Sequence, residues 1–356
     1  MKSDLFSPLK IRELVLKNRI VVSPMCQYSA IEGVPQHWHL VHLGSRAVGG
    51  ASLILSEATA VSAEGRISLG DTGLWNEEQV QAFLPITNFI KEQSCVPGVQ
   101  IAHAGRKAST RRPWEAAPSV ISEKEGGWTP LAPSSRAFDQ HSVLPHEMTV
   151  QDIEMVLLQF KVATQNALKA GFQVIEIHMA HGYLLNEFLS PLTNFRQDEY
   201  GGSLAHRMRF PLQVATEIRR IWPLEWPVFV RLSAVDWVEG GWTLEDSVVL
   251  VEELKKIGID LIDCSSGGIV AQANIPVKLG YQVPFSEEVR RRTQMMTGAV
   301  GLIVDPLQAE EILKQKQADL VFLGREFLRD PYWPLHAAKV LGEDLHWPQQ
   351  YARAKR

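Results

Sequence analysis

The chain has 356 residues, 45% of them hydrophobic and 21% charged, with a formal net charge of −4. This balance suits a folded enzyme and creates no long-range pull toward nucleic acid or an anionic membrane. Three widely spaced cysteines, Cys26, Cys95 and Cys264, argue against both a disulfide framework and a cysteine-rich metal cluster. The opening Met-Lys-Ser-Asp-Leu-Phe-Ser-Pro has no apolar core or cleavage site. No run of about 18 apolar residues follows, so the expectation is a cytoplasmic protein without a membrane span.

Taken in chain order, Leu5–Leu16 alternates apolar and polar residues and reads as a β-hairpin. Strand-like apolar runs follow at Ile20–Pro24, Ser52–Glu57 and Val99–Ala102. Between the last two, Glu77–Gln93 carries apolar residues at helical spacing. Arg106–His146 holds five prolines and little periodicity. A loop of that length is usually functional, so it is expected to form a lid. Thr149-x-x-Asp152 then opens a helix over Val150–Ala170 that stops at Gly171. Strand runs at Val174–His178 and Val228–Leu232 come next. Thr243-x-x-Asp246 opens a helix that runs to Gly258. The runs Leu261–Ser265 and Ala299–Val304, a helix over Pro306–Gln317, and the run Leu320–Leu323 complete the pattern.

Eight apolar runs alternating with helices imply parallel strands buried on both faces and right-handed βαβ connections. The expected architecture is α/β, a (β/α)₈ TIM barrel. It forms one domain over residues 1–356, with the hairpin plugging its bottom and the extended lid after the third strand. A doubly wound sheet is the main rival, but no two glycines are separated by one residue, so G-x-G-x-x-G is absent.

Barrel chemistry sits at the C-terminal strand ends. There the sequence supplies Ser23-Pro24-Met25-Cys26-Gln27-Tyr28, Gln100 and His103, and His178-x-x-His181-Gly182-Tyr183. It also supplies Arg231, Ser265-Ser266-Gly267-Gly268, Gly298, Gly301, and Gly324-Arg325. Cys26 alone reads as a small core residue, and Gln100 as a group satisfying a neighbouring backbone group. Arg231, flanked by Val230 and Leu232, needs an anionic ligand or a carboxylate. His178 and His181 fit three roles: core residues, metal ligands of a barrel hydrolase, or donors to a substrate oxygen. Tyr183 stands two residues beyond, placed to give up a proton. Gly301, Gly324 and Arg325 suit a phosphate held by the last two loops.

The segment running from His178-Met-Ala-His-Gly-Tyr through Asn194-Phe-Arg-Gln-Asp-Glu-Tyr-Gly-Gly-Ser203 resembles the signature of the old yellow enzyme family. The match extends over Asn18 to Tyr28, Trp38 to Gly50 and Glu57 to Arg66. Cys26 with Tyr28, Gly280-Tyr-Gln-Val-Pro-Phe285 and Gln350-Tyr-x-Arg353 are similar to the thermophilic-like ene-reductase subgroup. Leu279 stands where that subgroup has proline.

The resemblance implies bound FMN, NADPH (or NADH) as reductant, and α,β-unsaturated carbonyl or nitro compounds as acceptors. It implies that Ser23, Pro24, Met25, Cys26, Ala58, Gln100 and Arg231 line the flavin, with Cys26 tuning its potential. Gly301, Gly324 and Arg325 hold its phosphate. His178 and His181 bind the acceptor oxygen, Tyr28 positions the acceptor, and Tyr183 protonates Cα while hydride reaches Cβ. A homodimer or homotetramer follows too, with Arg353 reaching a neighbouring site.

Overall fold

Eight parallel strands close into a barrel in the computed structural model, which describes residues 3–115 and 120–355. They are β1 (Ile20–Val22), β2 (Leu53–Ala60), β3 (Val96–Ala102), β4 (Val174–Met179), β5 (Val228–Ser233), β6 (Leu261–Ser265), β7 (Met296–Ala299) and β8 (Leu320–Leu323). Each pairs with the next, and β8 pairs with β1. The expected (β/α)₈ barrel is therefore present. Helices flank the strands, among them Glu77–Glu92, Val150–Lys169, Leu204–Ile221, Leu244–Ile257 and Pro306–Lys314. The two expected capping boxes form, Thr149 with Asp152 and Thr243 with Asp246.

The hairpin pairs Leu9–Ile11 with Leu14–Leu16. It buries Ile11 and Leu16 against Val21, Leu53, Val174, Phe229, Leu261 and Phe322 inside the barrel. That apolar floor closes the bottom. Outward strand residues such as Ile175, Ile177 and Met179 instead share a core with helix residues including Phe160, Ala163 and Ala167.

Because side chains alternate along a strand, the inward positions rise in tiers. On β4 they read Val174, Glu176, His178; on β5, Phe229, Arg231, Ser233; on β6, Leu261, Asp263, Ser265. An apolar floor thus gives way to a charged middle tier and then to a hydrogen-bonding mouth. All nine residues are buried.

Three sequence expectations need correction. The seventh strand ends at Ala299 rather than running to Val304, because Gly301 (φ +126) and Leu302 (φ +52) leave the extended region. Gly298 therefore lies within β7 and not at its end. A Cβ there would sit 2.2 Å from the Phe322 ring, so glycine makes room for a floor residue. The helix from Pro306 stops at Lys314, with Lys316 left-handed at φ +57.

The expected lid is more ordered than its composition suggests, although residues 116–119 of that stretch lie outside the described residues. Two short 3₁₀ turns and a bridge between Leu131–Ala132 and His146–Glu147 shape it. Side chains then tie it down. Arg196 donates to the Pro133 and Met148 carbonyls, and Arg106 to those of Arg136, Ala137 and Ile269. Trp128 donates to Glu64 O at 2.8 Å.

The floor carries the barrel's interior packing. Truncating its largest aromatic side chains to alanine should cost about 3–5 kcal/mol. Phe229→Ala is expected to lower unfolding stability by about that much in urea titration, whereas Val15→Ala on the exposed hairpin strand should change it by less than about 0.5 kcal/mol.

Candidate active site

The chain leaving β1 forms one wall of the mouth. Ser23 N donates to Leu323 O at 3.0 Å, which ties β1 to the end of β8. Met25 then lies beside Gly324. Cys26 and Tyr28 lie close enough that each raises or lowers the other's proton affinity. Burial, with Asp71 and Glu57 nearby, pushes the Cys26 thiol well above its usual range, and Tyr28 is raised for the same first reason. Both are neutral hydrogen-bonding groups here. Glu57 shapes this wall, accepting from Gln27 N at 2.9 Å and facing His39 Nε2 at 3.0 Å.

The opposite wall comes from the end of β4. His178 and His181 meet edge to face with ring centroids 5.1 Å apart, and Tyr183 meets His178 at the same distance. Ala180 N donates to His178 Nδ1 at 3.2 Å. A neutral His178 must therefore carry its proton on Nε2, as a donor. Neutrality follows from burial first and then from the cations Arg231 and Lys107, which hold the pKa values of both histidines well below the usual range. His181 Nε2 lies 2.7 Å from Ser265 Oγ. Tyr183 is raised well above the ordinary phenol by burial, so it keeps its proton.

His181 is left-handed, at φ +62, a conformation unfavourable for a residue with a Cβ. Two contacts stabilise it. Lys107 Nζ donates to His181 O at 2.8 Å and Gly268 O at 3.1 Å. Gly182 also packs so tightly that a Cβ would lie 2.1 Å from Gly268 O. Lys107 further sits 5.1 Å from the Tyr183 ring centre. Burial lowers its pKa to about 8.

Below the mouth lies the charged tier. Arg231 Nε is 3.1 Å from Asp263 Oδ2, the carboxylate that its apolar flanks call for. Gln100 donates to Glu176 Oε1 at 2.8 Å, so its partner is a side chain and not backbone. Between the last two loops is a cavity of about 170 Å³, lined by Arg231, Tyr281, Gln282, Gly301, Gly324 and Arg325 among others. Arg325 forms no ion pair among the described residues, and Gly301 at φ +126 presents backbone without a side chain. A free guanidinium beside glycine backbone fits a phosphate, so the cradle suits the tail of FMN.

Arg353 is not brought to this mouth. It is exposed in the 3₁₀ turn Gln349–Ala354. On the way to it, Leu345, His346, Pro348 and Gln350 line a cavity with Lys17, Asn18 and Ser94, at the N-terminal side of the strands. The metal-ligand reading of His178 and His181 also lacks a third donor. No group of three His, Cys, Asp or Glu side chains converges among the described residues.

The sequence reading passed over Lys107, Glu176 and Asp263. The last two carry the same signal as Arg231, a charged residue inside an apolar strand. Lys107 has none, since its role depends on reaching carbonyls distant in sequence.

Such a barrel, with a phosphate-sized cradle on its last two loops, has the form of a flavin-dependent oxidoreductase. The chain belongs to the NADH:flavin oxidoreductase / NADH oxidase family, whose model matches residues 4–344. It is 48% identical to an NADPH dehydrogenase of Geobacillus sp. (strain WCH70), covering 100% of both chains. It is 46% identical to one from Bacillus subtilis (strain 168), covering 99% of each. Among solved structures, morphinone reductase superposes with a TM-score of 0.80 at 27% identity, over 98% of this chain and 92% of that one. An old yellow enzyme homologue from Zymomonas mobilis gives 0.78 at 26% identity, over 97% and 94%. The protein is an oxidoreductase with FMN as cofactor and a nicotinamide nucleotide as reductant.

The lowered pKa values set a direction. His178 and His181 gain a proton only well below the usual histidine value, so both should stay neutral between about pH 6 and 8. Nitrogen-15 NMR of histidine-labelled protein is expected to show no titration of either ring there, and His178 as the Nε2–H tautomer. A midpoint near 6.5 for His178 would contradict the assignment.

Proposed function

We propose that the protein is an ene-reductase, in which NADPH provides electrons that reduce the C=C bond of an α,β-unsaturated carbonyl or nitro compound. The observation that supports this most directly is the forced Nε2–H donor of His178, neutral and edge to face with both His181 and Tyr183. When bound, FMN supplies a hydride carrier between the nicotinamide and the acceptor.

The chain's own residues do the rest. His178 and His181 donate to the acceptor's oxygen and lower the energy of the negative charge that grows there. His181 turns from Ser265 to do so. Tyr183, held protonated by burial, delivers its proton to Cα. Lys107 is a positioning residue: it fixes the His181 turn and leaves a cation beside the phenolate that Tyr183 becomes. Tyr28 and Cys26 form the facing wall, where Tyr28 orients the acceptor and Cys26 adjusts the flavin's potential. Ser23, Pro24, Met25, Ala58, Gln100 and Arg231 line the ring, while Gly301, Gly324 and Arg325 hold the phosphate. Residues 1–356 act as one FMN-binding unit. Arg353, on the far side of its own barrel, acts at the site of a neighbour in a homodimer or homotetramer.

Removing one donor to a developing oxyanion costs about 3–4 kcal/mol, or a factor of about 10²–10³ in rate. His178→Ala is expected to slow stopped-flow reduction of a cyclic enone by that factor while leaving flavin reduction by NADPH within about tenfold. Equal slowing of both steps would contradict the donor role. Arg231→Ala is expected to lose FMN or lower its midpoint potential. Unchanged occupancy and potential would remove Arg231 from the flavin seat.

A further inference from the structure

The charged tier contains more acid than its single arginine can balance. Glu176 on β4 and Asp263 on β6 flank Arg231 on β5, and all three are buried, the two acids fully. If both acids were ionised, the tier would carry a net charge of minus one in a low-dielectric barrel. The hydrogen-bond pattern argues against that. Glu176 Oε1 accepts from Gln100, but its Oε2 has no partner among the described residues, and neither oxygen of Asp263 has a well-formed hydrogen bond. Orphaned acceptors of this kind are rare and costly. A proton on Glu176 leaves the tier neutral and removes the cost of burying an ionised oxygen that has no partner. Burial, followed by the charge of Asp263, raises Glu176 well above the ordinary carboxylate. Burial raises Asp263 to about 6 while Arg231 holds it down. The other ionisable groups that face the tier are neutral: burial holds His178 and His181 well below the usual histidine range, and raises the Tyr281 phenol beside Arg231 and the Cys264 thiol beside Asp263.

We propose that Glu176 and Asp263 hold one proton between them at neutral pH and act as a positioning pair. The pair cancels the charge of Arg231 and so sets the potential at which the flavin is reduced. This rests on the reading of Arg231 as a flavin-facing residue. Reduction adds negative charge at the mouth, and an uncompensated carboxylate in the tier would oppose it. The shared proton removes that opposition, and Gln100, anchored on the same acid, is held in place.

The test uses the full-length holoenzyme. Infrared spectra in H₂O and D₂O at neutral pH should show a protonated carboxylic C=O band that Glu176→Gln abolishes. Asp71 and Glu187, raised to about 7 and about 8 by burial, contribute their own bands, which survive that change. Asp263→Asn should abolish the same band, because Glu176 then ionises against Arg231. In spectroelectrochemistry, Glu176→Gln should leave FMN occupancy and midpoint potential unchanged, since a neutral amide replaces a neutral acid. Glu176→Gln combined with Asp263→Asn should raise the potential, since Arg231 is then unbalanced.

A potential that rises in Glu176→Gln alone means both acids were ionised and overturns the proposal. No band lost in either single variant does the same, and needs no double variant that folds. An unmoved potential in the double variant, with Arg231→Ala still shifting it, breaks the electrical link and leaves the flavin seat standing. If Arg231→Ala shifts nothing either, the seat itself is wrong and the proposal falls with it.

Discussion

A guanidinium sits inside the barrel of this protein, and the cost of burying it organises the site. Removing an ion from water costs several kcal/mol even after the protein relaxes. A unit charge pair at about 4 Å returns roughly 4 kcal/mol at an effective dielectric of 20. Arg231 meets Asp263 at 3.1 Å, so much of the cost is offset but the tier stays finely balanced. That balance is tolerable because the tier rests on an apolar floor plugged by the hairpin. The floor stabilises; the tier above it spends part of that stability on charge.

The mouth spends more. Tyr28 and His181 both occupy left-handed backbone, at φ +50 and φ +62. Conformations of this kind persist only where surroundings over-determine them. At His181, Lys107, Gly182 and Gly268 do so from three separate strand ends. The lid's first residues, Arg106 and Lys107, bond directly to carbonyls of the mouth. Lid order and histidine placement are thus one structural problem. Neutral imidazoles are what this environment produces, because burial and two nearby cations all disfavour a third positive charge. A neutral donor suits an oxygen that becomes negative during reaction and leaves again afterwards.

Much of this was legible in the residues. Eight apolar runs and two capping boxes marked strands and helices, because parallel strands buried on both faces leave little room for anything else. The alternation in Leu5–Leu16 marked the plug. Arg231 was readable as a buried cation in need of an anion. What escaped had physical reasons. The Met-Thr-Gly start of β7 has no apolar signal, since Gly298 serves Phe322 on the next strand. The tiers themselves follow from period-two alternation in β4, β5 and β6, but show their meaning only when closure brings Glu176 and Asp263 to either side of Arg231. Lys107 works through carbonyl groups, which no side-chain pattern reveals. Arg353 lies on the far side of its own barrel, away from the mouth.

The central claim is that the tier and cradle seat a reducible flavin whose electrons pass to an activated alkene. A visible absorption spectrum of the purified protein, recorded anaerobically before NADPH, after NADPH and after a cyclic enone, tests it directly. The account requires an oxidised flavin band that bleaches with NADPH and returns with the enone. A colourless protein that takes up no FMN, or a bleached flavin that no enone reoxidises, would contradict it.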